Sequence, residues 1–189
     1  MDFRKIFDSR VPPDEFDRWR PRYCDELFAD LIEYAALDVS KAALEIGPGT
    51  GQATEPIVQT GCSYLAIELG EHFTRAMQSR YHSYRNFSIV NADLETYDFG
   101  KTQFDLIYSA AAMQWIPEEI GFPKVYALLK KGGTFAVLFT LTDEKSANEA
   151  LYCEIQEAYA KYFHPETEYT CHLEYDNVTN YGFTAMSLR

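Results

Sequence analysis

The chain has 189 residues, of which 47% are apolar and 15% aromatic. That is enough for one domain with its own core, too little for two, and it excludes a disordered or fibrous protein. Asp and Glu (29) outnumber Lys and Arg (17), for a formal charge of -12, which argues against a nucleic-acid partner because phosphate binding needs clustered cations.

The N-terminus, Met1 to Lys5, leads into charge rather than an apolar signal region, and no apolar stretch approaches the ~20 residues that span a bilayer. Cys24, Cys62, Cys153 and Cys171 are scattered, without a C-x-x-C pair or a dense disulfide framework. Together these features predict a cytoplasmic protein with no membrane partner.

The first local exception to the acidic balance is Arg18, Arg20 and Arg22, which can meet a small anion or simply be solvated. Next, a helix is predicted from about Asp25 to Leu37, with Leu27, Phe28, Leu31, Ile32 and Ala35 on the side that packs on a sheet. Beyond residue 40, short apolar runs alternate with amphipathic stretches. Five runs read as strands: Ala42 to Ile46, Tyr64 to Glu68, Phe87 to Val90, Phe104 to Tyr108 and Thr134 to Phe139. They lack strict alternation, as strands covered on both faces do. Before the last of them, Pro117, Glu118 and Glu119 suit the start of a helix and Gly132-Gly133 its stop. After it, Ser146 and Glu149 form a capping box for a helix with Leu151, Ile155, Tyr159 and Tyr162 on one face, ended near Pro165. The expectation is an α/β fold, a doubly wound and mostly parallel sheet with helices on both faces.

The stretch Ala43 to Gly51 runs from the first strand into Gly47-Pro48-Gly49-Thr50-Gly51. Glycines there permit a sharp turn and let a ligand lie against bare backbone at the carboxyl end of the strand, where open α/β sheets bind ligands. Seventeen residues beyond Gly51, Glu68 closes the second strand, placed to accept hydrogen bonds from both ribose hydroxyls. A dinucleotide site shares this pair of features. It favours G-x-G-x-x-G, however, whereas here the pattern is G-x-G-x-G with Glu45 two residues ahead. A carboxylate repels pyrophosphate and suits a ligand bearing an ammonium and a sulfonium, the charge pattern of S-adenosylmethionine.

On these residues the chain resembles the class I S-adenosylmethionine-dependent methyltransferases, in their small-molecule branch with a seven-stranded, Rossmann-like sheet. Four segments carry the likeness: Glu45 to Gly51, Glu68, Asn91-Ala92-Asp93 and Phe104 to Trp115. The resemblance extends from about Phe16 to Gly133. It implies that Asp93 accepts a hydrogen bond from the adenine amino group and that Ser109 and Ala110 lie beside the methionine part. It also implies that Leu69 and Leu94 sandwich the ring, although core packing describes both leucines equally well. Phe16 to Tyr23, with its R-P-x-Y pattern, is similar to a segment that covers the cofactor, which makes Arg20 and Tyr23 lid residues.

Where many relatives carry His-Trp, this chain has Gln114-Trp115. Gln114 can orient a substrate but cannot take a proton near neutral pH. Gln114 and Trp115 are therefore expected substrate contacts, and no catalytic base is assigned. His164 and His172 lie in the segment where this branch builds its substrate pocket, and read more readily as surface or packing residues.

The resemblance implies one domain over residues 1–189: a helical lid (14–40), a cofactor-binding core (41–140), and a helix with a partial substrate-side segment (141–189). The family's sheet continues with two further strands, and Asn180 to Thr184 resembles the segment before the sixth. The chain is thus expected to be truncated there, or to have another chain cover strand five, whose run Thr134 to Thr140 carries no charge and no Pro. The expected activity is methyl transfer to a small-molecule substrate by in-line displacement. A non-catalytic S-adenosylmethionine-binding domain is the alternative, and an NAD-dependent oxidoreductase a distant one.

Overall fold

The computed structural model describes residues 8–140, 149–162 and 175–184. Five strands, β1 (Ala42–Ile46), β2 (Ser63–Glu68), β3 (Phe87–Asn91), β4 (Phe104–Ala110) and β5 (Leu129–Leu138), form one sheet. All pairs are parallel, in the order β3-β2-β1-β4-β5. Strand order reverses between β1 and β4, and an open α/β sheet has its ligand crevice at the carboxyl ends of the strands flanking that reversal.

The helices are α1 (Pro13–Trp19), α2 (Asp25–Tyr34), α3 (Thr54–Val58), α4 (Glu71–Tyr81), α5 (Glu118–Leu128) and α6 (Glu149–Tyr162). Two apolar layers follow from the strand period of two. On one face Ala43, Tyr64, Leu106 and Tyr108 pack with Phe28 and Leu31 of α2 and with Ile57 and Val58 of α3. On the other, Leu44, Ile46, Ile67 and Ile107 pack with Phe122, Val125 and Leu128 of α5. Burial on both faces is why these strands read as unbroken apolar runs.

Two expected boundaries move. The helix predicted to reach Leu37 ends at Tyr34, where Ala36 takes a φ of 45° and the Leu37 N–H reaches back to the Ile32 carbonyl at 3.0 Å. Leu37 remains buried, so its apolar character reports packing rather than helix. Gly132-Gly133 does not stop α5, which ends at Leu128 because Leu129 already pairs with Phe104. The glycines lie instead in an irregularity of β5, and regular pairing resumes at Thr134 opposite Leu106. A Cβ on Gly133 would sit 3.0 Å from the Lys130 carbonyl oxygen and 3.1 Å from that of Asp105, so the close chain approach there suits glycine.

In α6, Leu151 and Ile155 are exposed; Ser146, Pro165, His164 and His172, and the side chains of Tyr159 and Tyr162, lie outside what is described. Tyr181 packs on Phe122 at 5.4 Å, and Phe183 lies 5.4 Å from Tyr126 and 5.6 Å from Phe135, so the last described segment covers α5 and β5. Among the described residues β5 has β4 as its one strand neighbour, and no helix is long and apolar enough to cross a membrane.

Phe122 is fully buried at the centre of the α5 layer. Phe122→Ala is expected to lower unfolding free energy by about 3–5 kcal/mol, read as a shifted midpoint in urea denaturation.

Candidate functional site

Gly47 leaves β1 with its N–H still on the Ile67 carbonyl at 2.9 Å, so the loop begins as a continuation of the ladder. There the backbone turns into the left-handed region, with φ +65° at Gly47 and +89° at Gly51. A Cβ at Gly47 would come within 2.5 Å of the Ala112 Cβ, and one at Gly51 within 2.9 Å of the Met77 sulfur. Glycine is thus required twice over, by dihedral and by space.

Over this loop and the carboxyl ends of β1, β2 and β4 lies a cavity of about 550 Å³. Glu68 stands at its wall, where its two oxygens accept the Gly49 N–H at 3.2 Å and the Gly70 N–H at 2.7 Å. Burial pushes its carboxyl up to about 7, against the pull of those two N–H donors. Asp93 lines the same cavity just past β3, braced by the Glu95 N–H at 3.0 Å. Leu69 and Leu94 form apolar wall beside them.

The near side is covered by the segment of α1. Asp17 is a junction: it accepts Thr50 Oγ1 at 3.1 Å and Gln52 Nε2 at 3.3 Å, and binds Arg80 of α4 at 3.2 Å and Arg22 at 3.1 Å. Burial raises its carboxyl, but the hydrogen bonds from Arg22, Arg80 and Thr50 outweigh that and hold it at about 2. Asp8 adds a second pin, accepting the His72 and Phe73 N–H groups at 3.1 and 3.3 Å in the first turn of α4. Phe16 then lies against Gly49 and Phe73, with the Arg20 guanidinium over its ring at 5.3 Å.

Of the residues singled out from the sequence, Arg20, Tyr23, Gly47, Gly49, Glu68, Leu69, Asp93, Leu94, Gln114 and Trp115 all line this cavity. Glu45, Gly51 and Ser109 do not. Glu45 was expected to face a cationic ligand, but strand alternation turns its side chain down into the α2–α3 layer, where it is fully buried. Ser109 points back to the Ile46 carbonyl at 3.1 Å, and Gly51 lies under Tyr81 and Met77. The arginine trio also divides: Arg22 is committed to Asp17 and Arg18 lies over Trp19 at 5.1 Å, so only Arg20 lines the cavity. Sequence reasoning missed Phe16, Gln52, Phe73, Ala112 and Phe139 as lining residues. Phe16 had a signal, since it opens the R-P-x-Y segment, and Ala112 lies within the Phe104 to Trp115 stretch; Gln52, Phe73 and Phe139 have none apart from the fold.

Residues 44–137 match the methyltransferase domain family. The chain belongs to the class I S-adenosylmethionine-dependent methyltransferases. Among relatives of this chain, the ribosomal RNA small subunit methyltransferase A of Hahella chejuensis is 27% identical over 62% of this chain and 43% of its own length. The sterol 24-C-methyltransferase of Saccharomyces cerevisiae is 26% identical over 71% of this chain and 38% of its own. The chain therefore spans about two-fifths of the length of these relatives. Among solved structures, the CcbJ methyltransferase from Streptomyces caelestis aligns with a TM-score of 0.59 at 21% identity, over 71% of this chain and 57% of that one.

Gly47→Ala is expected to destabilise the domain by about 1–3 kcal/mol, through overpacking against Ala112 at a positive φ. Thermal unfolding of parent and variant checks this.

Proposed function

We propose that the cavity holds S-adenosylmethionine and that the domain transfers its methyl group to a small-molecule acceptor by in-line displacement. The observation that carries this reading is Glu68. Its carboxylate ends β2 at the cavity wall, and each oxygen, though holding one backbone N–H, has further lone pairs to accept a ribose hydroxyl. Ala112 packs too closely on Gly47 for a side chain there, so the loop presents bare backbone to the cavity.

When bound, S-adenosylmethionine supplies a methyl carbon already activated by its sulfonium. The residues of the chain then bind and orient. Asp93, on the cavity wall, takes the adenine amino group in this reading, and Leu69 and Leu94 flank the ring. Arg20 is the cation among the described lining residues and fits the methionyl carboxylate; Tyr23 closes the wall beside it. Trp115 and Phe139 exclude water from the acceptor side, and the neutral amide of Gln114 orients the acceptor. That suffices for a carboxylate acceptor, while a phenol or alcohol calls for a base within hydrogen-bond reach. The charge of -12 favours a small acceptor over a phosphate backbone. Free thiols at exposed Cys24 and Cys153 support a reducing, cytoplasmic setting.

Calorimetric titration with S-adenosylmethionine, followed by methyl transfer across a panel of small acids, amines and phenols, tests the assignment. No cofactor binding sinks it. The Glu68 carboxyl, at about 7 without ligand, is partly protonated at neutral pH. Ribose hydroxyls bond more strongly to its charged form than to the neutral acid, so binding releases a proton and affinity falls as pH drops below about 7. Calorimetry in buffers of different ionisation enthalpy reads the proton release; Glu68→Gln removes it and weakens binding about 100-fold, as losing two charge-assisted hydrogen bonds does.

β5, at the edge of the sheet among the described residues, carries an uncharged run from Thr134 to Leu138, which supports self-association over that edge. Sedimentation velocity on a concentration series is expected to show a dimer that Val137→Lys abolishes, whereas a monomer throughout would remove this part of the reading.

A further inference from the structure

Glu45 has no place on the cavity wall, yet it is among the most completely enclosed side chains of the protein. It sits on β1 opposite Ala66 of β2 and Tyr108 of β4, two residues before the glycine loop turns at Gly47. Its Oε2 accepts Thr54 Oγ1 at 2.6 Å and also meets the Tyr64 hydroxyl. The Tyr64 and Tyr108 hydroxyls lie 2.8 Å apart, and Tyr108 donates to the Ala53 carbonyl at 3.2 Å. Oε1 has no hydrogen-bond partner. The groups that touch the carboxyl are all neutral hydroxyls, and no ion pair among the described residues includes it.

An ionised carboxylate in this setting would hold charge in the core with one oxygen wholly unpaired, the most costly way to bury such a group. A neutral acid removes the difficulty. With its proton on Oε2, the hydrogen bonds run in one direction: Glu45 to Tyr64, Tyr64 to Tyr108, Tyr108 to the Ala53 carbonyl. Each donor then has an acceptor, and only a carbonyl-type oxygen is left bare, a far smaller cost. Burial pushes the Glu45 carboxyl up and both tyrosines up with it, in keeping with protons that stay in the cluster.

The chain ends where the loop ends. Ala53 lines the cavity, and Thr54 opens α3. We propose that Glu45 is a positioning residue, a neutral carboxylic acid that fixes the far end of the glycine loop through Ala53 and Thr54 and makes no charge contact with the cofactor's sulfonium. This rests on the reading of the cavity as an S-adenosylmethionine site.

Glu45→Gln keeps a neutral group of the same shape, and Glu45→Leu removes hydrogen bonding. Calorimetric titration of the full chain uses S-adenosylmethionine and S-adenosylhomocysteine, which differ by the methyl group and its positive charge. The ratio of the two Kd values is expected to stay within about twofold of the parent in Glu45→Gln, while Glu45→Leu weakens both ligands together by about tenfold or more. A loss in Glu45→Gln confined to S-adenosylmethionine overturns the proposal. Infrared difference spectra of ligand-free parent and Glu45→Gln at neutral pH read the acid directly. A protonated-carboxyl carbonyl band present only in the parent supports the proposal, and a carboxylate band in its place refutes it, even where Glu45→Leu fails to fold. Should the parent bind neither ligand, the cavity reading fails by itself, and the infrared band still decides the state of Glu45.

Discussion

Three neighbouring strands meet at one buried carboxyl. Glu45 on β1, Tyr64 on β2 and Tyr108 on β4 share a hydrogen-bonded cluster that also holds Thr54 and the Ala53 carbonyl. In an apolar layer that includes Phe28, Leu31, Ile57 and Val58, polar groups persist only if they satisfy one another. That demand fixes the geometry: the strands cannot slide without breaking the cluster, and α3 cannot shift without leaving Thr54. The loop is therefore held at both ends, by the ladder bond from Gly47 to Ile67 and by the cluster beyond Gly51. A loop of left-handed glycines gains its conformational freedom at an entropic cost, and these anchors restrict that freedom to one shape.

The second constraint acts from the opposite side. The segment around α1 buries no residue of its own, so apolar packing alone does not fasten it. Polar contacts do. Most exposed ion pairs contribute little, as at Glu71 and Arg75, which are both largely in solvent. Asp17 differs because several donors converge on one partly sheltered carboxylate, and because they come from three places in the chain: Thr50 and Gln52 in the loop, Arg80 on α4 and Arg22 beyond α1. The covering segment and the glycine loop are thus tied to each other through one side chain at the cavity's near side. Phe16 fills the contact between the two, over the one face of the loop where Gly49 leaves room for a ring.

Much of this was legible in the sequence. Period and punctuation located all five strands, since a run apolar on both faces admits few other readings, and the spacing of Gly47, Gly49, Gly51 and Glu68 marked the crevice. The boundaries misread were those where an apolar or glycine residue serves tertiary packing: Leu37 beyond the end of α2, and Gly132-Gly133 within β5 rather than before it.

The sequence by itself determined the parallel α/β architecture and the residues that turn and flank the loop, because these depend on local dihedrals and on a short repeat of apolar side chains. Only the tertiary structure decided where charge goes. Glu45 and Glu68 are both carboxylates near strand ends; one is sealed among hydroxyls and the other opens on the cavity. Likewise Arg20 and Arg22 are two residues apart, yet one lines the cavity and the other is spent on Asp17. Which face a strand residue takes, and which partner a cation finds, depends on segments far away in the chain, so no local pattern records it.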